Sequence, residues 1–344
     1  KPKVIFKNIG CLNFDRSYLY SIMKKYKNKT SQIKQQKFPH FPFENPPFRL
    51  SMGLMKIPEQ EWFEIFDQKE RFFQMKEKRK LLTNNHAEVF MANPIALKPS
   101  QEALLLILKH LPAIRPDLYT QKDNTIRVKP YLKFKGEEWS TSLNKNKLHP
   151  LDLAARLIQE DLIIMLPSDS SNDGTAKGWW LAAGSIAFPS RWNLKEKFEQ
   201  PMEIIHAPVP FYKDQLQESV NNFFNNMSGN AIYARRNWSL YDNPSLRQDI
   251  NEHNKVGIPK LITSKNAGEQ LWLRVERQTL RKLNKTGAIL FTIRIHLRQL
   301  KNIVNEKGVA NRLAKVLSAL PPKMHEYKRT DLFSDSVKDY LSKF

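Results

Sequence analysis

Two alternating stretches in the last third of the chain constrain the fold most: LWLRVERQ (Leu271–Gln278) and AILFTIRIHL (Ala288–Leu297). Side chains of a strand point to opposite faces in turn. In the first stretch Trp272, Arg274, Glu276 and Gln278 share one side, and Leu271, Leu273, Val275 and Arg277 the other. In the second, Phe291, Ile293, Ile295 and Leu297 oppose Thr292, Arg294 and His296. Lys285-Thr286-Gly287 lies in the connection between them. Upstream, SDSSNDGTAKG (Ser168–Gly178) is the strongest loop signal, joining strands at Ile163–Leu166 and Trp180–Phe188 as a hairpin would. Met202–Ala207 reads as a third short strand and Ala231–Trp238, with its adjacent Arg235 and Arg236, as another. About six short strands between residues 160 and 300, with hairpin-like or one-helix connections, predict an α+β domain on a mostly antiparallel sheet.

Helical patterns flank this region. Pro58 starts a helical stretch in which Trp62, Phe66, Phe73 and Leu81 mark one or two amphipathic helices, and the basic run Lys76–Lys80 reads as a solvated face. Gln101–His110 is a buried helix closed by Pro112, and Leu151–Leu162 a helix started by Pro150. Further helices are expected over Lys213–Met227, Ser245–Asn254, Lys301–Leu320 and, after a Thr330/Asp331 cap, Leu332–Leu341. Possible strands lie near Ile126–Phe134. The Phe/Pro cluster Phe38–Phe48 cannot be regular helix, and its phenylalanines are expected to clamp onto the domain, with His40 a packing residue. The expected organisation is a peripheral basic and Pro/Phe arm over 1–48, a domain over 49–300, and C-terminal helices over 301–344 packed on it.

The 344 residues are 41% hydrophobic, enough for a sizeable core. With 56 Lys and Arg against 34 Asp and Glu, the formal charge is +22. That charge permits an acidic protein partner, a membrane surface or nucleic acid. The excess is scattered Lys rather than one tract, and no nucleic-acid motif accompanies it, so nucleic acid is the minor reading. A single cysteine, Cys11, excludes an internal disulfide and a Cys-based zinc or iron–sulfur cluster, and fits a reducing compartment. No run reaches bilayer-spanning length and the start has no signal-peptide pattern, so a cytoplasmic protein is expected. The chain has no G-x-S-x-G, H-E-x-x-H, Rossmann or Walker pattern.

Two sets of residues could carry chemistry. His206 lies in Ile-Ile-His-Ala-Pro-Val-Pro, where Pro208 and Pro210 are expected to hold an extended backbone. A rigidly held imidazole suits haem iron ligation. The ordinary alternative is a half-buried His bonded to a backbone carbonyl. The second set is arginine on apolar sheet faces, where a buried charge needs an anionic partner. Arg235, Arg236, Arg274 or Arg277 could grip ligand carboxylates through the guanidinium fork, or pair with acids of the protein, such as Glu276. Glu160-Asp161 could act as acid/base but reads more simply as a solvated or capping pair.

Taken in order, several segments resemble the haem-dependent oxidative N-demethylase-like family. They are Met52–Ile65 (MGLMKIPEQEWFEI), Leu157–Leu162 (LIQEDL), Phe188–Pro210 (FPSRWNLKEKF to IHAPVP), Arg236-Asn237-Trp238 and Leu273–Arg294. The resemblance implies a PAS-like haem domain with b-type haem bound by His206; the residues add Arg235, Arg236, Arg274 and Arg277, as sheet arginines for propionates, and Trp238 as further candidate cofactor-binding residues. It also implies O2-dependent removal of a methyl group from a secondary amine such as dimethylamine. Electrons would come from a separate NAD(P)H-dependent flavin/iron–sulfur reductase, which the charge suggests is acidic, and formaldehyde could pass to tetrahydrofolate. A haem sensor or carrier on the same scaffold, or a haem-free basic binding module, are the alternatives. The chain departs from the family pattern at Glu199, where Gly is expected, at Asn284, where Pro is expected, and at Gln299, which replaces a Pro.

Overall fold

The computed structural model describes residues 41–43, 46–142, 147–168, 178–229, 231–248 and 261–344. Cys11 and His40 lie outside these. The chain divides into two units, Lys1–Phe41 and Pro42–Phe344, and all of the described helices and strands belong to the second.

The two alternating stretches form the centre of a seven-stranded sheet. Its strands are β1 (Met55–Ile57), β2 (Phe90–Ala92), β6 (Asp161–Pro167), β7 (Trp179–Ser185), β8 (Ile232–Tyr241), β9 (Trp272–Lys282) and β10 (Ile289–Gln299), in the order β1-β8-β9-β10-β6-β7-β2. Every neighbouring pair is antiparallel. The expected α+β class is therefore what the chain adopts. A second sheet holds β3 (Tyr119–Lys122), β4 (Thr125–Val128) and β5 (Glu137–Ser140). The β9–β10 connection closes on Gly287 at φ +72°, and Glu102 accepts hydrogen bonds there from the Lys285 and Thr286 amides and the Thr286 hydroxyl.

Register sets the two faces. Arg236 pairs with Arg277, and Arg277 with Arg294, so these three point to one side, and Arg235 with Gln278 points to the other. The Arg277 side packs against α1 (Gln68–Asn84), α2 (Leu97–Ile114) and α3 (Pro150–Leu157), with Leu104, Leu108, Leu153, Ile164 and Leu290 in the shared core. The opposite side is covered by the chain between Phe188 and Met227, with Ile163, Leu181, Leu280, Ile293 and Ile295 against Met202, Tyr212 and Phe224. That cover includes α4 (Met202–Ile205) and α5 (Gln217–Asn226); α6 (Val309–Ala319), α7 (Pro322–Lys328) and α8 (Ser334–Leu341) complete the described chain. No helix among the described residues is long and apolar enough to cross a membrane.

Polar chemistry dominates the α1 side. Asp67 caps α1 by accepting from the Lys69 and Glu70 amides at 2.8 and 3.1 Å. Its buried face is Arg71, Gln74, Met75, Lys78 and Leu82, a helical spacing filled mostly by polar residues. Phe66 and Phe73, expected to face inward, are 57% and 43% exposed. Lys78, expected on a solvated face, is wholly buried: its ammonium donates to the carbonyls of Ile158 and Glu160 and lies 3.5 Å from the Asp161 carboxylate. Burial pushes the Lys78 pKa down and that of Asp161 up. Asp161 accepts from the Ala187 and Phe188 amides at 3.0 and 2.8 Å, and Glu160 from the Glu64 amide at 3.3 Å, so neither acid is solvated.

Above the sheet, Glu64 meets Arg277 Nε at 3.0 Å, His296 Nε2 at 2.7 Å and Arg236 at 3.5 Å. Glu70 meets Arg294 and Arg298, each at 3.4 Å. Burial works to raise the Glu64 pKa, but the bond and charge of His296, then Arg277 and Arg236, hold it at about 2. A depressed carboxylate pKa contributes stability that is present above the ordinary value and lost as pH falls towards 2.

Several elements differ from the sequence reading. The helix expected over Leu151–Leu162 stops at Leu157, because Asp161 onward pairs with β7 and β10. Lys213–Met227 is two helices, Tyr212–Gln215 and Gln217–Asn226, and Lys301–Leu320 is also split, into Leu300–Ile303 and Val309–Ala319, with Gly308 at φ +73° between them. Pro112 lies inside α2 rather than closing it. Residues 245–248 are not helical, and the rest of Ser245–Asn254 beyond Gln248 lies outside the described residues. Phe43 does pack on the domain, edge-on to Trp238 at 5.3 Å.

Removing the Glu64 charge tests the network. Glu64→Ala leaves Arg277, Arg236 and His296 without their shared acid and is expected to cost about 3–5 kcal/mol in urea unfolding. A loss below about 1 kcal/mol would mean the pairs are dispensable.

Candidate functional site

The face of the sheet opposite α1 carries His206. Pro201 starts a single helical turn: the Ile204 and Ile205 amides donate to its carbonyl at 3.0 Å, and the His206 amide donates to the Met202 carbonyl at 3.0 Å. Met202–Ile205 is thus α4, not the expected strand, and His206 caps its C-terminal end. The reason is local. A proline restricts the residue before it, here Ala207 and Val209, and leaves Met202–Ile205 free to coil. The chain then turns back, with the Val209 amide on the His206 carbonyl at 2.8 Å and Phe211 at φ +66°.

Two contacts hold the imidazole, and a third fixes the backbone beside it. Its Nδ1 lies 2.9 Å from the Met202 carbonyl oxygen, which can only accept, so Nδ1 carries the proton and donates. The Tyr212 ring stacks on it at 4.6 Å and 14°. Lys197 donates to the neighbouring Ile205 carbonyl at 2.8 Å. Burial drives the His206 pKa down to about 4, against the Met202 bond, and the nearby charges of Arg235 and Lys197 push the same way. The imidazole is neutral at pH 7, with the Nε2 lone pair bonded to no group among the described residues. The ordinary reading of His206 holds: it is a half-buried His on a carbonyl, and the Nδ1–H tautomer leaves the lone pair on Nε2.

Register divides the candidate arginines. Arg235 projects from β8 to the His206 side, and its charge reaches His206. Arg236 and Arg277 project to the other side and are engaged by Glu64, with Arg277 also donating to the Trp62 carbonyl at 2.9 Å and to that of Glu61. Arg274 is on the His206 side but donates to Ser190 Oγ at 2.8 Å and to the Phe188 and Leu246 carbonyls, each at 2.9 Å. Trp238, on the Arg236 side, packs on Phe43 and the Lys328 ammonium. Of the six cofactor-site candidates, the fold brings His206 and Arg235 together and commits the guanidinium groups of Arg236, Arg274 and Arg277 to protein groups. Sequence reasoning missed Tyr212, Lys197 and the Met202 carbonyl; the i to i+4 spacing of Met202 and His206 was the available signal.

Ile205, Val209, Tyr233 and Phe291 are partly buried against the core of this side. Glu199, where Gly was expected, sits at φ +60°, a region that favours glycine. Its side chain accepts from Asn93 at 2.7 Å and its amide donates to Leu181 at 2.9 Å. Gln299, in place of a Pro, donates to the Glu269 carbonyl at 2.7 Å.

The family model described as haem-dependent oxidative N-demethylase, alpha subunit-like, matches residues 53–338. That span takes in every strand of the seven-stranded sheet and His206.

Long-range 1H–15N NMR on haem-free protein checks the imidazole directly. His206 is expected to show the Nδ1–H tautomer at pH 7 and to titrate near pH 4 rather than 6.5. A folded pKa below the unfolded one costs stability as pH falls from about 6.5 towards 4, so His206→Gln should flatten the stability loss in that window. Titration near 6.5 with the opposite tautomer would contradict the geometry.

Proposed function

The chain belongs to the haem-dependent oxidative N-demethylase, alpha subunit-like family, and from that membership we propose that it binds haem b through His206 Nε2 and oxidatively demethylates a small secondary amine such as dimethylamine. The observation that carries the reading is the Nδ1–Met202 hydrogen bond, which presents a neutral imidazole with an available lone pair on a half-buried apolar face. A carbonyl on Nδ1 also raises the basicity of the coordinating nitrogen. Tyr212 stacks on the ring, and the Val209 amide bonds the His206 carbonyl in the turn that follows. Arg235 is the guanidinium assigned to a haem propionate; in support, it lies on the His206 side and its charge reaches the imidazole. Bound haem would supply reductive activation of O2. In the balanced reaction the amine methyl carbon leaves as formaldehyde and its nitrogen takes up a proton. One atom of O2 enters formaldehyde and the other leaves as water, with two electrons and two protons from a donor.

The chain's own residues supply binding, orientation and a water-poor surface. Electrons are assigned to a separate flavin/iron–sulfur reductase, and the +22 charge favours an acidic one. Tetrahydrofolate as formaldehyde acceptor is part of the same proposal.

Ultraviolet–visible spectra of haem-supplemented wild type and His206→Ala, oxidised and dithionite-reduced, test the binding. Wild type is expected to give a Soret band that is lost or displaced in the variant, and amine-dependent formaldehyde with a surrogate reductase. Haem uptake without formaldehyde from any small amine would leave a haem sensor or carrier, and no uptake by wild type would overturn the reading.

A further inference from the structure

Between β4 and β5 the chain makes a tight turn. The Tyr131 amide donates to the Phe134 carbonyl at 3.1 Å and the Phe134 amide to the Tyr131 carbonyl at 2.9 Å, which leaves Leu132 and Lys133 at the tip. The base of the turn is held firmly. Tyr131 is buried with its ring centre 5.5 Å from the Arg71 guanidinium, and the Phe134 ring centre lies 4.5 Å from that of Arg79, both arginines on α1. Arg79 also pairs with Glu137. Gly136 closes the turn at φ +88°, where a Cβ would come within 2.9 Å of the Val128 carbonyl oxygen. Leu132 itself sits at φ +49° and is 56% exposed. The left-handed region is costly for leucine, whose Cβ crowds the backbone there, and Gly, Asn or Asp is the usual occupant. A strained backbone that holds an apolar side chain out in water gives the fold no burial in return, which is the mark of a residue kept for contact with something else.

The surface beside the tip is basic. Lys133 and Lys135 are exposed and make no ion pair or hydrogen bond among the described residues. Across the Arg79–Phe134 contact, Lys76 lies one helical turn before Arg79, also exposed and also without a partner among the described residues. Phe73, one turn earlier again, is 43% exposed. The acids closest in sequence are Glu77, exposed on α1, Glu137, taken by Arg79, and Glu138, which lies 3.4 Å from Arg127. Positive charge is therefore in excess around an apolar tip. A lipid surface suits this arrangement better than a protein does. The cations are lysines, which protein interfaces deplete in favour of arginine, whereas a lysine stem lies along an apolar boundary with its ammonium among headgroups. The apolar side chains stand singly among charges, at a turn and on a helix, rather than as one contiguous patch.

We propose that the Leu132-Lys133 turn docks the protein on an anionic membrane surface. Leu132 enters the boundary between headgroups and acyl chains, and Lys76, Lys133 and Lys135 meet the lipid phosphates. One apolar side chain with a few lysines gives a reversible attachment, and no spanning helix is involved. The turn packs on α1, on the side of the sheet opposite His206, so the docking surface is separate from the candidate cofactor face and does not depend on it. Leu132→Gly is the informative variant, because glycine takes φ +49° without strain. It removes the apolar tip and is expected to keep or raise the urea midpoint, whereas loss of a packing residue would lower it.

Co-sedimentation of the full chain with vesicles tests the docking, using equimolar phosphatidylcholine and phosphatidylglycerol in one set and phosphatidylcholine alone in the other. Wild type is expected to bind the anionic vesicles only, and to be released by salt. Leu132→Gly, and separately the double variant Lys133→Gln with Lys135→Gln, are each expected to bind about tenfold weaker. Binding by either variant that equals wild type overturns the assignment, and equality of both would show attraction of the +22 chain as a whole. A lowered urea midpoint in Leu132→Gly would make Leu132 a packing residue and overturns it as well. No retention of wild type on anionic vesicles excludes lipid and overturns the proposal in favour of an acidic protein partner.

Discussion

The structure depends on how buried positive charge is neutralised on one side of the central sheet. Glu64 and Glu70 descend from the chain preceding α1 and from α1 itself onto Arg236, Arg277, Arg294, Arg298 and His296. Unpaired, these groups could not be buried. Because the acids come from outside the sheet, they anchor α1 and the Trp62–Glu64 segment to it, and Lys78 extends the same network to Asp161. Asp161 in turn holds the Ala187 and Phe188 amides, where the cover of the opposite face begins. One ionic layer thus fixes both the helical side and the start of the segment that carries His206.

With those cations consumed, the other face keeps a different inventory. It presents apolar side chains, Arg235, Glu276 and the neutral imidazole of His206. His206 is set by backbone geometry rather than by a charged partner: a one-turn helix points Nδ1 at its own first-residue carbonyl, and Tyr212 fixes the plane. That arrangement does not change with pH above the low pKa.

Much of the sheet was legible in the sequence. The period-2 alternation of Leu271–Gln278 and Ala288–Leu297 separated Arg277 from Glu276 and Arg294 from Phe291 within each strand; which faces coincide, Arg277 with Arg294, is set by the register and not by the alternation. The hairpin around Ser168–Gly178 was likewise readable from its turn residues. The errors share a physical origin. Helix α1 buries Arg71, Gln74 and Lys78, so a search for apolar periodicity chose Phe66 and Phe73 instead. The acid that meets Arg236 and His296 is 172 and 232 residues away from them in sequence, beyond any local pattern. The prolines after His206 were legible, but their influence stops at Ala207 and does not reach α4. Glu199 was legible as a departure; its left-handed backbone gives the reason glycine belongs there.

The central claim is that the cofactor lies on the His206 and Arg235 face and not on the face lined by Arg236 and Arg277. Crystals of haem-loaded protein, measured at the iron absorption edge, decide it. An anomalous iron peak within coordination distance of His206 Nε2, with a propionate towards Arg235, is the expected result. A peak on the α1 side of the sheet, or one remote from His206, would contradict the account.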